Sequence, residues 1–176
     1  FGDDPIDVLD HFDTIISELI LKDLDSIEKR QAKLGGMLKA AQNKPAEKKL
    51  IEAELAMLIQ AVELLSKQYI EEVRALIINS GLETVPLICI KKFLVVANFG
   101  ESIFSDDGYK QNEQYQLLIK RFGEEKIIPV CARTEFELTQ LDTAQADEMM
   151  EMLGIKTNGL KMLIKKAYDE LDMITF

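Results

Sequence analysis

The chain has 176 residues, 47% of them apolar, and a formal net charge of −10. That length suits one ordinary domain or two small ones, and the apolar content supports a packed core and argues against disorder. The acidic balance argues against general nucleic-acid binding, and no apolar run approaches the ~18 residues that a membrane-spanning helix needs.

Residues 1–12 are acidic and carry Pro5, so they read as a lead-in. Phe1-Gly2-Asp3-Asp4-Pro5 has neither the basic flank nor the apolar stretch of a signal peptide. With no initiator Met, the start reads as a point inside a longer chain. His11, the single histidine, reads as a loop or helix-start residue, because it cannot form a metal cluster alone. A long helix is predicted next: Ile20, Leu24, Ile27, Gln31, Leu34, Leu38 and Ala41 are spaced alternately four and three apart, a coiled-coil-like seam. Gly35 and Gly36 fall inside it, each costing about 1 kcal/mol, so a kink or local weakness is expected there. Asn43-Lys44-Pro45 reads as a turn, with Pro45 suited to the first turn of a second helix. Ile51, Leu55, Leu58, Val62 and Leu65 continue the same spacing, so an antiparallel hairpin is predicted over residues 13–80 together with a third helix near 71–79.

The charge is uneven along the chain. From Glu28 to Lys49 there are seven basic residues and two acids, a segment of +5 against −15 for the rest. Lys29, Arg30, Lys33, Lys39 and Lys44 gather toward the hairpin tip and are candidates for meeting a phosphate backbone; a solvated helix surface is the plainer alternative.

Beyond Gly81 the character changes. Phe93–Ala97 is a short continuous apolar run, the pattern of a buried parallel strand. A helix over 111–122 stops at Gly123. Ile127–Val130 is a second strand, in which Pro129 favours an edge or strand end. Strand, helix and strand make one right-handed crossover, and helices near 143–153 and 160–171 complete the chain. Two parallel strands do not make a stable sheet alone, so residues 81–176 read as part of a larger α/β domain. Cys89 and Cys131 sit in apolar surroundings at no metal-like spacing, and read as reduced thiols in a cytoplasmic protein.

In open parallel sheets ligands bind beyond the carboxyl ends of the strands. Asn98-Phe99-Gly100-Glu101 follows the first strand and Cys131-Ala132-Arg133 the second. The pair resembles the two base-recognition elements of P-loop GTPases, Asn-Lys-x-Asp and Ser-Ala-Lys. A guanine reader ends its first element in aspartate, which accepts from the ring N1–H and the 2-amino group. Adenine has neither donor, and Glu101 is one methylene longer, so the element disfavours guanine and permits adenine. The Asn98 amide can both donate and accept, and suits adenine N7 and N6.

Further stretches make the resemblance specific. Ser17-Glu18-Leu19-Ile20-Leu21-Lys22-Asp23-Leu24, Phe93 through Glu101, Ile128-Pro129-Val130-Cys131-Ala132-Arg133, Leu153-Gly154-Ile155, Gly159-Leu160, Ala167-Tyr168 and Ile174-Thr175-Phe176 occur in order. Together they resemble the YchF-type Obg-like ATPases over almost the whole chain. Cys131 stands for a common Ser, Arg133 for a common Lys, and Phe99 for the lysine of the GTPase element. The resemblance implies a mostly helical α/β fold, with a coiled-coil-like hairpin inserted in a partial P-loop NTPase parallel sheet. It implies a cytoplasmic, ribosome-associated nucleotidase that prefers ATP to GTP and uses Mg²⁺. Asn98, Phe99, Glu101, Cys131, Ala132 and Arg133 would bind the base, and the hairpin tip would meet the ribosome or RNA. The chain has no Gly-x-x-x-x-Gly-Lys-Ser/Thr, so no catalytic or metal-binding residue is assigned. The chain alone is expected to be inactive and to hold no nucleotide tightly. The family carries that loop upstream and a TGS domain downstream, so this chain is expected to be a middle section. The rival readings are a non-catalytic RNA- or protein-binding hairpin and a plain α/β fragment without a ligand.

Overall fold

A computed structural model describes residues 7–82, 84–155, 157–171 and 173. The expected lead-in through Ile6 and the Ile174-Thr175-Phe176 stretch lie outside them. The chain divides into two units, residues 10–91 and residues 1–9 with 92–176.

The first unit is helical. α1 (Val8–Ala40) is 33 residues long, α2 spans Pro45–Ser66 and α3 Ile70–Ser80. α1 starts before the expected boundary, so residues 8–12 are helical. The four-three spacing gives each helix one apolar stripe: Ile20, Ile27 and Leu34 of α1 meet Ile51, Leu58 and Leu65 of α2 in one buried cluster, with Leu24, Leu55 and Val62 packed at its margin. Pro45 occupies the first turn of α2, where its missing N–H costs nothing. Gly81, at φ 61°, closes α3 in the left-handed region. α1 runs without interruption through Gly35-Gly36, where a kink or local weakness was expected. Leu34, fully buried, and Leu38, packed beside it, hold that turn against the core, and packing outweighs the two glycine penalties.

Asp23 is a buried acid of this unit, 1% exposed on the inner face of α1. Its carboxylate accepts from the backbone N–H of Ile88 (2.8 Å to each oxygen) and of Cys89 (2.7 Å). Arg74 of α3 donates from Nε to the carbonyl of Ile90 at 2.6 Å. Side chains thus satisfy backbone groups at Ile88, Cys89 and Ile90 in the irregular segment after α3, as burial requires. Beside Asp23, burial and the carboxylate push the Cys89 thiol up to about 12, leaving it an inert core group.

The second unit is built on two parallel strands, β1 (Val95–Asn98) and β2 (Ile127–Val130), paired from Val95↔Ile127 to Asn98↔Val130. β1 begins two residues later than the apolar run suggested. Between the strands lie a four-residue helix, α4 (Glu101–Phe104), a 3-10 segment over Ser105–Gln111, and α5 (Glu113–Phe122). The Asn112 side chain caps α5, and Gly123, at φ 87°, ends it. After β2 come α6 (Ala132–Thr139), α7 (Thr143–Met152) with its Asp142/Gln145 capping box, and α8 (Gly159–Glu170). Ala97, Tyr115, Leu118 and Ile127 form the core on one face of the strand pair. α8 is tied to β2 and α6: Glu135 accepts from the Gly159 N–H at 2.6 Å, and Lys166 donates to the carbonyls of Glu124 and Ile127. Gly159 is required there, since a Cβ would lie 2.8 Å from Val130 Cγ1.

Candidate functional site: two strand-end loops

The parallel register sets Asn98 opposite Val130, so the chain leaves both strands side by side. Phe99 N–H donates to the Val130 carbonyl at 2.8 Å. Asn98 is exposed, and its Oδ1 accepts from the Ala132 N–H at 3.0 Å. That single side chain joins the two sequence elements: it ends β1 and satisfies one of the unpaired N–H groups at the start of α6. The Asn98 oxygen, expected to accept from a base, already accepts one hydrogen bond within the protein and keeps a second lone pair. Glu101 opens α4 and is exposed, as are Ala132 and Arg133.

Arg133 Nε donates to Glu137 at 3.1 Å; that bond, with Glu101 also in range, raises the guanidinium above its ordinary value. Cys131 is a buried free thiol at the cap of α6, directed into the lobe. Phe99 was expected at the ring face or pocket wall. Its ring is half-buried against Tyr109 and Tyr115, both with centroids 5.7 Å away.

On the other side of the strands, Val96, Val130, Phe136, Leu138 and Leu160 help line an open groove of about 500 Å³. Val96, Phe136 and Leu160 are exposed there. Among the described residues no group of histidine, cysteine or carboxylates could hold a metal ion, and no helix is long and apolar enough to cross a membrane.

The basic residues of the arm have unequal surroundings. Lys33 and Lys39 are exposed, while Lys29 pairs with Asp25 and Lys44 with Glu47 at the surface. Arg30, also expected among the phosphate contacts, is paired with an acid of α2. Its Nε and Nη2 donate to the two oxygens of Glu54, on α2, at 2.8 and 2.9 Å. This fork holds the Glu54 carboxyl below its usual range and raises Arg30. Sequence reasoning missed this pair, although Glu54 interrupts the apolar face of α2. It also missed Asp23 as a clamp and Tyr109 as a ring beneath the first loop. Asp23 carried a signal, a short acid between Leu21 and Leu24 in a helix seam; Tyr109 carried none.

Parallel strands with polar loops meeting at their carboxyl ends place the second unit in the open α/β class. No protein-family model matches it. It is similar to the ribosome-binding ATPase YchF of Haemophilus influenzae (31% identical over 97% of this chain and 45% of that protein) and of Bacillus subtilis (29%, 97% and 46%). The same ATPase of Escherichia coli O157:H7 is 27% identical over 95% of this chain and 44% of its own length. The chain belongs to the YchF family. It spans less than half the length of these relatives.

Proposed function

We propose that this chain is the base-reading and partner-binding portion of a cytoplasmic, ribosome-associated P-loop nucleotidase that uses ATP in preference to GTP. The observation that carries the reading is the hydrogen bond from the Ala132 N–H to Asn98 Oδ1, which makes one site of the two loops. In this reading the Asn98 NH2 donates to purine N7, Ala132 and the stem of Arg133 flank the base, and Cys131 sets the start of α6. Glu101 provides a carboxylate where adenine has no donors to offer, placed too far out to serve guanine. Phe99 supports the loop from inside. Triphosphate and Mg²⁺ contacts belong to the phosphate-binding half, which would pack against the apolar groove at Val96, Phe136 and Leu160; a TGS domain would follow. Residues 13–80 form the coiled-coil-like arm and 81–176 the end of the nucleotide domain. Lys29, Lys33, Lys39 and Lys44 would meet ribosomal RNA.

The test is titration of the 176-residue chain with adenosine, guanosine and MgATP, followed by amide NMR and phosphate release. Adenosine should shift Asn98, Ala132 and Arg133 weakly, at roughly millimolar concentration, because phosphate contacts supply much of the affinity in such proteins. MgATP should not be turned over. Micromolar MgATP binding with turnover, or no adenosine response at those three residues, would sink the reading.

A second reading, a non-catalytic hairpin that binds RNA or protein, is favoured by one observation: residues 10–91 form a unit with its own core. It predicts ribosome co-sedimentation that Asn98→Ala leaves intact and that Lys33→Glu with Lys39→Glu weakens.

A further inference from the structure

Tyr109 lies in the 3-10 segment after α4, outside both strand-end loops. Its ring stacks on Phe104 (centroids 5.4 Å, planes 22° apart) and lies against Phe99 (5.7 Å, 31°). Its edge meets Tyr115 of the core at 5.2 Å and 89°. Phe99 and Phe104 bracket Glu101 in sequence, so one ring touches both ends of the turn that carries Glu101. Phe99 also follows Asn98 directly. Along β1 and its exit, Ala97 is buried, Asn98 exposed and Phe99 half-buried; the inward seating of Phe99 therefore sets the outward direction of Asn98.

The segment holding Tyr109 has little room to move. Asp106 and Asp107 both occupy the left-handed region, at φ 54° and 60°. Consecutive non-glycine residues hold that conformation only when the surroundings over-determine it. A Cβ on Gly108 would lie 2.7 Å from the Ile103 carbonyl oxygen, so the segment sits directly on the backbone of α4. Tyr109 Oη donates to Asp107 at 3.3 Å.

We propose that Tyr109 is the positioning residue of the Asn98–Glu101 loop: its ring clamps Phe99 and Phe104, and so holds the Asn98 side chain on Ala132. The value of that role to a nucleotide rests on the function proposed above, but the clamp itself is testable without any ligand. The readout is amide exchange of Phe99 and Ala132 in the 176-residue chain. Tyr109→Leu should speed exchange at both amides about tenfold, since aromatic pairs contribute beyond their buried area and local opening follows their loss. Tyr109→Phe keeps the rings and should leave both rates near wild type. Phe104→Leu removes one of the two clamped rings and should also speed exchange; it is the substitute measurement should Tyr109→Leu fail to fold. Ile128→Ala, a fully buried change outside the cluster that holds these rings, controls for general loosening. Unchanged exchange in Tyr109→Leu, or an equal rise in Ile128→Ala, overturns the proposal. Faster exchange in Tyr109→Leu alongside a wild-type chain that ignores adenosine would keep the clamp and reject base reading.

Discussion

At the scale of single residues, partners decide more than residue type does. Arg30 and Lys33 belong to one basic run, yet Arg30 is bound on two prongs to Glu54 while Lys33 is exposed. The Glu54 side chain is 9% exposed, so removing its partner leaves a nearly buried charge unpaired. Arg30→Met should therefore cost about 2 kcal/mol of stability by urea unfolding, and Arg30→Met with Glu54→Leu should recover most of it. A single-variant effect indistinguishable from zero would place the pair in solvent. The pH dependence has a definite sign. The folded-state pKa of Glu54 is depressed, chiefly by the hydrogen bond from Arg30, below the ordinary 4.5. Its contribution is thus fully present above 4.5 and is lost as pH falls through the depressed value. Unfolding midpoints measured downward from pH 5 should fall less steeply in the double variant than in wild type.

At the scale of elements, the long helices were legible because periodicity reports burial directly, and the short ones were not. α1, α2, α5, α7 and α8 follow apolar spacing, caps and stop glycines. α4 and α6 are four and eight residues long and follow from what surrounds the strand ends. The expected weakness at Gly35-Gly36 shows the limit of propensity, since the buried Leu34 carries the helix through. The same two positions give a test. Both lie inside α1, and a Cβ on either would meet nothing within 4 Å. Gly35→Ala and Gly36→Ala should each stabilise the chain by about 0.5–1 kcal/mol, through a less flexible unfolded state, measured by thermal unfolding. A loss of stability in either would mean that α1 is broken there in solution.

At the scale of the whole molecule, selectivity between nucleotides becomes testable in a protein that includes the phosphate-binding half. In the proposed reading the Asn98 NH2 donates to N7, which both purines share, and discrimination falls to Glu101. Glu101→Asp should raise GTP affinity relative to ATP several-fold, by analogy with a bidentate base contact worth about 1–3 kcal/mol, read by competition binding. An unchanged ratio in a folded protein would move selectivity elsewhere. Phe99 is kept in that variant, because Phe99→Lys would remove a ring that Tyr109 and Tyr115 contact.

The sequence by itself determined the helical seams, the strand–helix–strand crossover, the two strand-end elements and the family they resemble. All are encoded by residues near one another in the chain or by spacing along one element. The tertiary structure alone decided which groups those elements spend on one another. Asn98 holds Ala132 across 34 positions, Asp23 holds Cys89 across 66, and Arg30 holds Glu54 across 24. A side chain's hydrogen-bonding capacity is finite, and no local pattern records which distant backbone group or charge will occupy it. The same reason hid Tyr109: a ring's role depends on the rings that folding brings against it.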